Sequence, residues 1–159
     1  MKTHQYNMQM RWTGNKGTGT SSYRAYSRDH EYYFPGKAGP IPGSSDPSFR
    51  GDPSRYNPEE LLLASLSSCH MLWFLHFCSV EGVIVLAYED TPIGEMAEDH
   101  KGSGRFTSVT LHPHVQVAEA NMQGKLEELH HRAHQYCFIA NSVNFPVLCE
   151  GGSSTYPPL

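Results

Sequence analysis

The run Asn57-Pro58-Glu59-Glu60-Leu61-Leu62-Leu63-Ala64-Ser65-Leu66-Ser67-Ser68-Cys69 decides how the chain reads. Asn is a favoured N-cap, Pro suits the first helical position, and a Glu three residues past the cap can return a capping-box hydrogen bond. Neither Pro nor Gly follows until Gly82, so the pattern predicts a helix from Pro58 to Val80. Leu61, Leu62, Leu63, Leu66, Met71, Leu72, Trp73, Phe74, Leu75 and Phe77 fall on every side of it. A helix apolar all round has to be buried all round. In a chain of 159 residues that means a central helix, or one shared with a second subunit.

Upstream, Tyr6, Met8, Met10 and Trp12 alternate with polar residues, the pattern of a half-buried strand. Gly14 to Gly19 reads as a hairpin turn with Ser21 to Tyr26 returning; no helix pattern follows these glycines, which excludes a phosphate-binding loop. Residues 35–57 carry repeated Pro, Gly, Ser and Asp and read as a long loop. Downstream, strands are expected at Val83 to Tyr88 and Phe106 to Val117, with Val109, Leu111, Val115 and Val117 on one face and Gly94 to Gly104 as a polar loop between. A second helix is expected from Met122 to Cys137, with Leu126, Leu129, Ala133 and Tyr136 or Cys137 as its stripe. Residues 151–159 read as an irregular tail. The order of elements predicts an α+β fold in a single domain, residues 1–159.

Composition narrows the function. Twelve Lys and Arg against sixteen Asp and Glu leave no basic excess for a phosphate backbone, so no nucleic acid partner is expected. The N-terminus lacks the apolar core of a secretory signal. The strongly apolar stretch Met71 to Phe77 is short of the ~20 residues that span a bilayer and contains His76, so no membrane partner is expected and the location reads as cytoplasmic. Counted with Gly and without Tyr, the apolar share is about 41%, against about 45–50% for ordinary globular chains. The core is thin, or another copy of the chain completes it.

The four cysteines stand at 69, 78, 137 and 149, with no CxxC pair. On one helix Cys69 and Cys78 would face opposite ways, ~13 Å apart along the axis, beyond the ~7 Å reach of a disulfide. Cys137 is free to approach either. A thiol in mid-helix among apolar residues has a raised pKa, and reactivity at Cys69 requires a delivered cation; Arg50 and Arg55 precede the helix, and Arg11, Arg24 and Arg28 lie further upstream.

The segment from Asn57 to Cys69 resembles the N-P-E-E/Q-L-x-x-A-x-x-x-x-C helix start of the osmotically inducible protein C and organic hydroperoxide resistance (OsmC/Ohr) family. Cys137-Phe138-Ile139-Ala140-Asn141-Ser142 is similar to that family's second-cysteine segment, and the likeness extends over roughly residues 4–148. It implies an OsmC-like fold, with antiparallel sheets around two long helices in an intertwined homodimer. It also implies a thiol peroxidase that reduces organic hydroperoxides, with hydrogen peroxide as an alternative substrate. Cys69 would be the peroxidatic cysteine and Cys137 the resolving one, joined in a disulfide during turnover. Glu59 would match the family's active-site Glu and pair with an Arg, here Arg50 with Arg55 as the second choice. A lipoyl-type dithiol would be the reductant, and no cofactor or metal is required.

Glu59 and Cys69 lie ~15 Å apart along a continuous helix, so the expectation is that the Arg–Glu pair serving Cys69 comes from the partner chain. His70, Trp73 and Phe74 flank the thiol and could tune it or line a substrate pocket; core packing is their ordinary role. Cys78 and Cys149 match nothing in the family pattern. Two other readings stand beside the peroxidase. One is a non-enzymatic module binding small molecules in an apolar pocket. The other is a metal-binding protein using His130, His134 and Cys137, with His112 and His114 as further ligands; the i,i+4 histidines share a helix face.

Overall fold

The computed structural model describes residues 2–151, so the expected tail beyond Gly151 lies outside the described residues. By contacts the chain forms two compact units, one up to Leu62 and one from Leu63 on.

The first unit holds a three-stranded antiparallel sheet in the order β1 (Gln9–Trp12), β2 (His30–Tyr33), β3 (Ile41–Gly43). The returning strand comes later than Ser21 to Tyr26. Residues between β1 and β2 instead form a long excursion closed by the Asn15–Tyr26 bridge, by Ser27 N–H donating to Gly14 O at 3.0 Å and by the Trp12 indole donating to Ser27 O at 2.9 Å. Gly14 is required there, because a Cβ would lie 1.9 Å from the Ser27 carbonyl. The expected loop 35–57 contains β3, whose Pro42 is tolerated in an edge strand, and a short 3-10 turn, Pro47–Phe49, capped by Asp46. β1 is exposed along its whole length rather than half-buried.

Helix α1 spans Pro58–Val80, the predicted bounds. Its start is the expected capping box: Asn57 Oδ1 accepts from Glu60 N–H at 2.8 Å, and Glu60 Oε2 accepts from Asn57 N–H at 3.0 Å. Its end is a Schellman closure around Gly82, at φ +70°, with Val83 N–H reaching back to Cys78 O at 2.9 Å. The burial expected on all sides is not found in the single chain. One stripe is buried, Leu66, His70, Phe74, Phe77 and Cys78, while Leu72 is 63% exposed. At 23 residues α1 is also long and apolar enough, by length and composition, to cross a membrane, a point the shorter count from Met71 to Phe77 missed.

The second unit packs this stripe against two sheets. β4 (Val85–Asp90) pairs with β7 (Pro113–Val117). β6 (Gly104–Leu111) lies between β5 (Ile93–Glu98), antiparallel, and β8 (Val147–Cys149), the parallel exception. The single strand expected over Phe106 to Val117 is thus two, turning at His112, but its inward face holds: Val109, Leu111 and Val115 are buried. β5 takes in Gly94 to Glu98 of the stretch expected to be a loop. α2 is Leu126–Tyr136, shorter than expected, because residues Ala120–Lys125, with Gly124 among them, form 3-10 turns. Its stripe Leu126, Leu129 and Ala133 joins Phe74, Phe77, Cys78, Val83 and Val115 in one core; Cys137 is buried and Tyr136 exposed.

Candidate active site

Cys69 stands in mid-α1 and is partly buried; Cys137 caps the C-terminus of α2, where the backbone turns extended. The fold brings the two thiols into hydrogen-bond contact, and both are free. Ala140 N–H donates to Cys137 Sγ at 3.4 Å, and Asn141 N–H to Cys137 O at 3.0 Å, so the turn after α2 fixes the sulfur. Burial pushes the Cys137 thiol up to about 11, and its contact with Cys69 adds to the shift. Cys137 is therefore a protonated neighbour at neutral pH, able to donate toward the other sulfur.

Trp73 lies one turn beyond Cys69. Its ring meets Tyr136 at 5.3 Å and Phe138 at 5.7 Å, the two aromatics on either side of Cys137, and stacks on Phe77 at 5.5 Å. Phe138 is 63% exposed, so this aromatic wall reaches solvent. Phe74 and His70, expected beside it, are placed elsewhere: both are fully buried on the core stripe. Phe74 stacks on His130 with centroids 3.9 Å apart, and His70 Nε2 meets His130 Nδ1 at 3.0 Å.

In the first unit, Glu59 occupies the first turn of α1 with one carboxylate oxygen, Oε2, buried and unpartnered. Its charge helps raise the Tyr32 pKa, secondary to burial. Arg50 does not meet it among the described residues. Arg50 is an exposed residue at φ +66°, its guanidinium 6.0 Å from the Tyr23 ring centre. Arg55 lies 4.0 Å from Asp29 and 3.7 Å from Asp52. The guanidinium with spare capacity is that of Arg28. It sits between the rings of Tyr23 and Tyr26, at 4.2 and 4.3 Å, and donates Nη1 to both their carbonyls, yet its Nη2 is buried without a partner. Nothing local in the sequence singled out Arg28 from the other arginines; the two tyrosines five and two residues before it were the available hint.

The metal set expected from His130, His134 and Cys137 does not assemble, because Cys137 turns to Cys69 and His130 turns to His70. The group that does converge is His70, His130 and Cys149, whose potential ligand atoms lie within 4.8 Å of one another. Cys149 Sγ stands 3.6 Å from His70 Nε2. Burial lowers both imidazoles to about 4, helped at His70 by His134 and at His130 by His70, and raises Cys149 to about 11, helped by Asp90.

The sequence model of the family described as OsmC-like protein matches residues 51–150. An OsmC-like protein of unknown function from Vibrio cholerae superposes with a TM-score of 0.84 at 32% identity, covering 94% of this chain and 99% of that one. The chain belongs to the OsmC-like family. The same fold recurs at 16% identity in an organic hydroperoxide resistance protein from Legionella pneumophila, with a TM-score of 0.68 over 98% of this chain and all of that one. It recurs again at 16% identity in the organic hydroperoxide resistance protein OhrB of Bacillus subtilis, with a TM-score of 0.65 over 94% of this chain and 98% of that one. No curated protein matches the sequence. Family membership establishes the α+β OsmC-like architecture; the paired Cys69 and Cys137 thiols are what this member offers as chemistry.

Proposed function

We propose that this protein is a thiol-dependent peroxidase that reduces organic hydroperoxides. The observation that carries the reading is the contact between Cys69 and Cys137, two thiols on separate helices placed within reach of one disulfide. The Cys69 thiolate attacks the outer oxygen of the hydroperoxide, the O–O bond breaks, and the alkoxide leaves as alcohol with a proton. The Cys69 sulfenic acid then condenses with the Cys137 thiol, forming the S–S bond and releasing water. Two thiols of an external dithiol, of lipoyl type, return the disulfide to the reduced state. The wall of Trp73, Tyr136 and Phe138 favours an alkyl or aryl hydroperoxide over hydrogen peroxide.

The whole chain acts as one OsmC-like domain in a cytoplasmic homodimer. The exposed side of α1 at Leu72 and the exposed β1 residues support a second copy. An arginine of the partner chain, ion-paired with that chain's Glu59, holds the Cys69 thiolate, since ~15 Å of helix separate Glu59 from Cys69 within one chain. Arg28, with its buried spare Nη2, is a stronger source of that guanidinium than Arg50 or Arg55.

Steady-state consumption of an alkyl hydroperoxide with a dithiol tests the reading. Cys69→Ser abolishes turnover, and one equivalent of peroxide converts the wild type to a Cys69–Cys137 disulfide seen by peptide mass mapping. Unchanged turnover by Cys69→Ser overturns the proposal. Mixing inactive Cys69→Ser and Glu59→Gln proteins tests the shared site: hybrid dimers regain activity if the glutamate serves the other chain's thiol, and stay inactive if it serves its own.

A further inference from the structure

Three side chains outside the thiol pair meet at one buried point. His70 comes from the core stripe of α1, His130 from α2 and Cys149 from the end of β8. The two imidazoles lie nearly parallel, 8° apart, with His70 Nε2 and His130 Nδ1 facing at 3.0 Å. The Cys149 sulfur approaches the same His70 Nε2 at 3.6 Å. Hydrogen bonding satisfies this arrangement only in part. One ring proton can lie between the two nitrogens, but His70 Nε2 has a single lone pair or a single proton to offer two neighbours.

We propose that His70 Nε2, His130 Nδ1 and Cys149 Sγ form a binding site for a zinc-type divalent cation. Zinc bonds of about 2.05 Å to nitrogen and about 2.3 Å to sulfur, at tetrahedral angles, put two nitrogens about 3.3 Å apart and a nitrogen and a sulfur about 3.6 Å apart. The nitrogen–sulfur edge of 3.6 Å equals that of a zinc tetrahedron, the nitrogen–nitrogen edge of 3.0 Å is about 0.3 Å shorter than it, and the three atoms all lie within 4.8 Å of one another. The donor set excludes the hard ions: two imidazoles and a thiolate select borderline metals such as Zn(II) over Mg(II) or Ca(II). Binding releases the Cys149 thiol proton to solvent and leaves the ring protons on His70 Nδ1 and His130 Nε2. A cavity of about 660 Å³, lined by His130, Cys149, His134, Glu127 and Glu150, gives the ion a way in and leaves the fourth position to a water or an incoming ligand. This site shares no residue with the Cys69–Cys137 pair and stands or falls apart from the peroxidase reading.

The test uses the reduced, metal-stripped full chain titrated with Co(II) and then Zn(II). One equivalent of cobalt is expected to give the d–d bands of a tetrahedral site and a thiolate-to-cobalt charge-transfer band, and zinc to displace it. Cys149→Ser removes the charge-transfer band and weakens zinc binding by about 100-fold or more, as loss of a direct ligand should exceed the about 10–100-fold of an outer partner. The Cys69→Ser/Cys137→Ser double variant keeps both signals. Cys149→Ala, checked for wild-type near-ultraviolet circular dichroism without metal, guards against loss of folding; it should also lose the rise in melting temperature that zinc gives the wild type. Failure of the wild type to take up one equivalent overturns the proposal. So does a charge-transfer band that survives in Cys149→Ser and vanishes in the double variant, or octahedral bands alone.

Discussion

The two units differ in what they bury. In the second, Leu66, Phe74, Val109, Leu111, Leu129 and Ala133 are at most 2% exposed. In the first, Tyr6 is 88% exposed, Met10 60%, Tyr23 58% and Tyr56 54%, and its buried residues are the polar Ser44 and Asn57 with glycines. The first unit is therefore held by hydrogen bonds and ring stacking around Tyr23, Tyr26 and Arg28, the second by area removed from water. A unit of the first kind is stable only marginally in isolation, because conformational entropy is offset mainly by apolar burial. The thin apolar content of the sequence is thus unevenly buried, while both units leave large apolar side chains exposed, among them Met10 in the first and Leu72 and Leu86 in the second.

The largest break in this comparison comes from the core side. Phe74→Ala removes a fully buried ring stacked on His130 and should cost about 3–5 kcal/mol, read as a lowered urea midpoint with unchanged slope. A loss under about 1 kcal/mol would mean that the second unit is not the rigid body its packing indicates. Cys78 reports on the same core without mutation. Burial raises its thiol to about 11, so little thiolate exists at pH 8 and alkylation should run about 100-fold slower than for an ordinary thiol of pKa about 8.5. The sign follows from the raised value: the rate climbs with pH until about 11. Mass mapping after a timed iodoacetamide pulse checks it, and rapid labelling at pH 8 would show the core opening.

How much of this was legible beforehand follows the same division. α1 was readable to the residue because its signals are local: Asn57, Pro58 and Glu60 at the start, Gly82 past the end. The inward face Val109, Leu111, Val115 was readable because alternation survives the turn at His112. β5, Ile-Gly-Glu-Met-Ala-Glu, was not, since it is exposed and held through backbone pairing with β6, which composition does not record. The thiol pair came from a family resemblance rather than from periodicity. The meeting of His70, His130 and Cys149 could not be read at all, because only the packing of α1, α2 and β8 brings them together.

On the exposed side the expected effects are smaller. Met8→Ser with Met10→Ser changes residues that are 43% and 60% exposed in the single chain. If a second copy covers β1, the pair of changes should weaken the dimer about tenfold in dissociation constant, or about 1.4 kcal/mol. Sedimentation equilibrium measures this. The urea midpoint of monomeric protein should stay put, and an unchanged dissociation constant would remove β1 from the interface.

The smallest effect sharpens the comparison where the helix begins. Asn57 belongs by contacts to the first unit, yet its side chain caps the helix whose stripe builds the core of the second. Asn57→Ala removes the acceptor for Glu60 N–H and keeps the main-chain N–H that donates to Glu60 Oε2, at a cost of about 1 kcal/mol. Asn57→Asp restores an acceptor in the same place and should recover most of it. Glu60→Ala, which loses only the return bond to Asn57 N–H, should cost less than Asn57→Ala. Urea unfolding followed by far-ultraviolet circular dichroism gives all three. Equal losses from Asn57→Ala and Asn57→Asp would mean that Asn57 acts through its 7%-exposed packing rather than as a cap. A loss confined to Asn57→Ala and Glu60→Ala would assign the helix start to hydrogen bonds, the same means that hold the rest of the first unit.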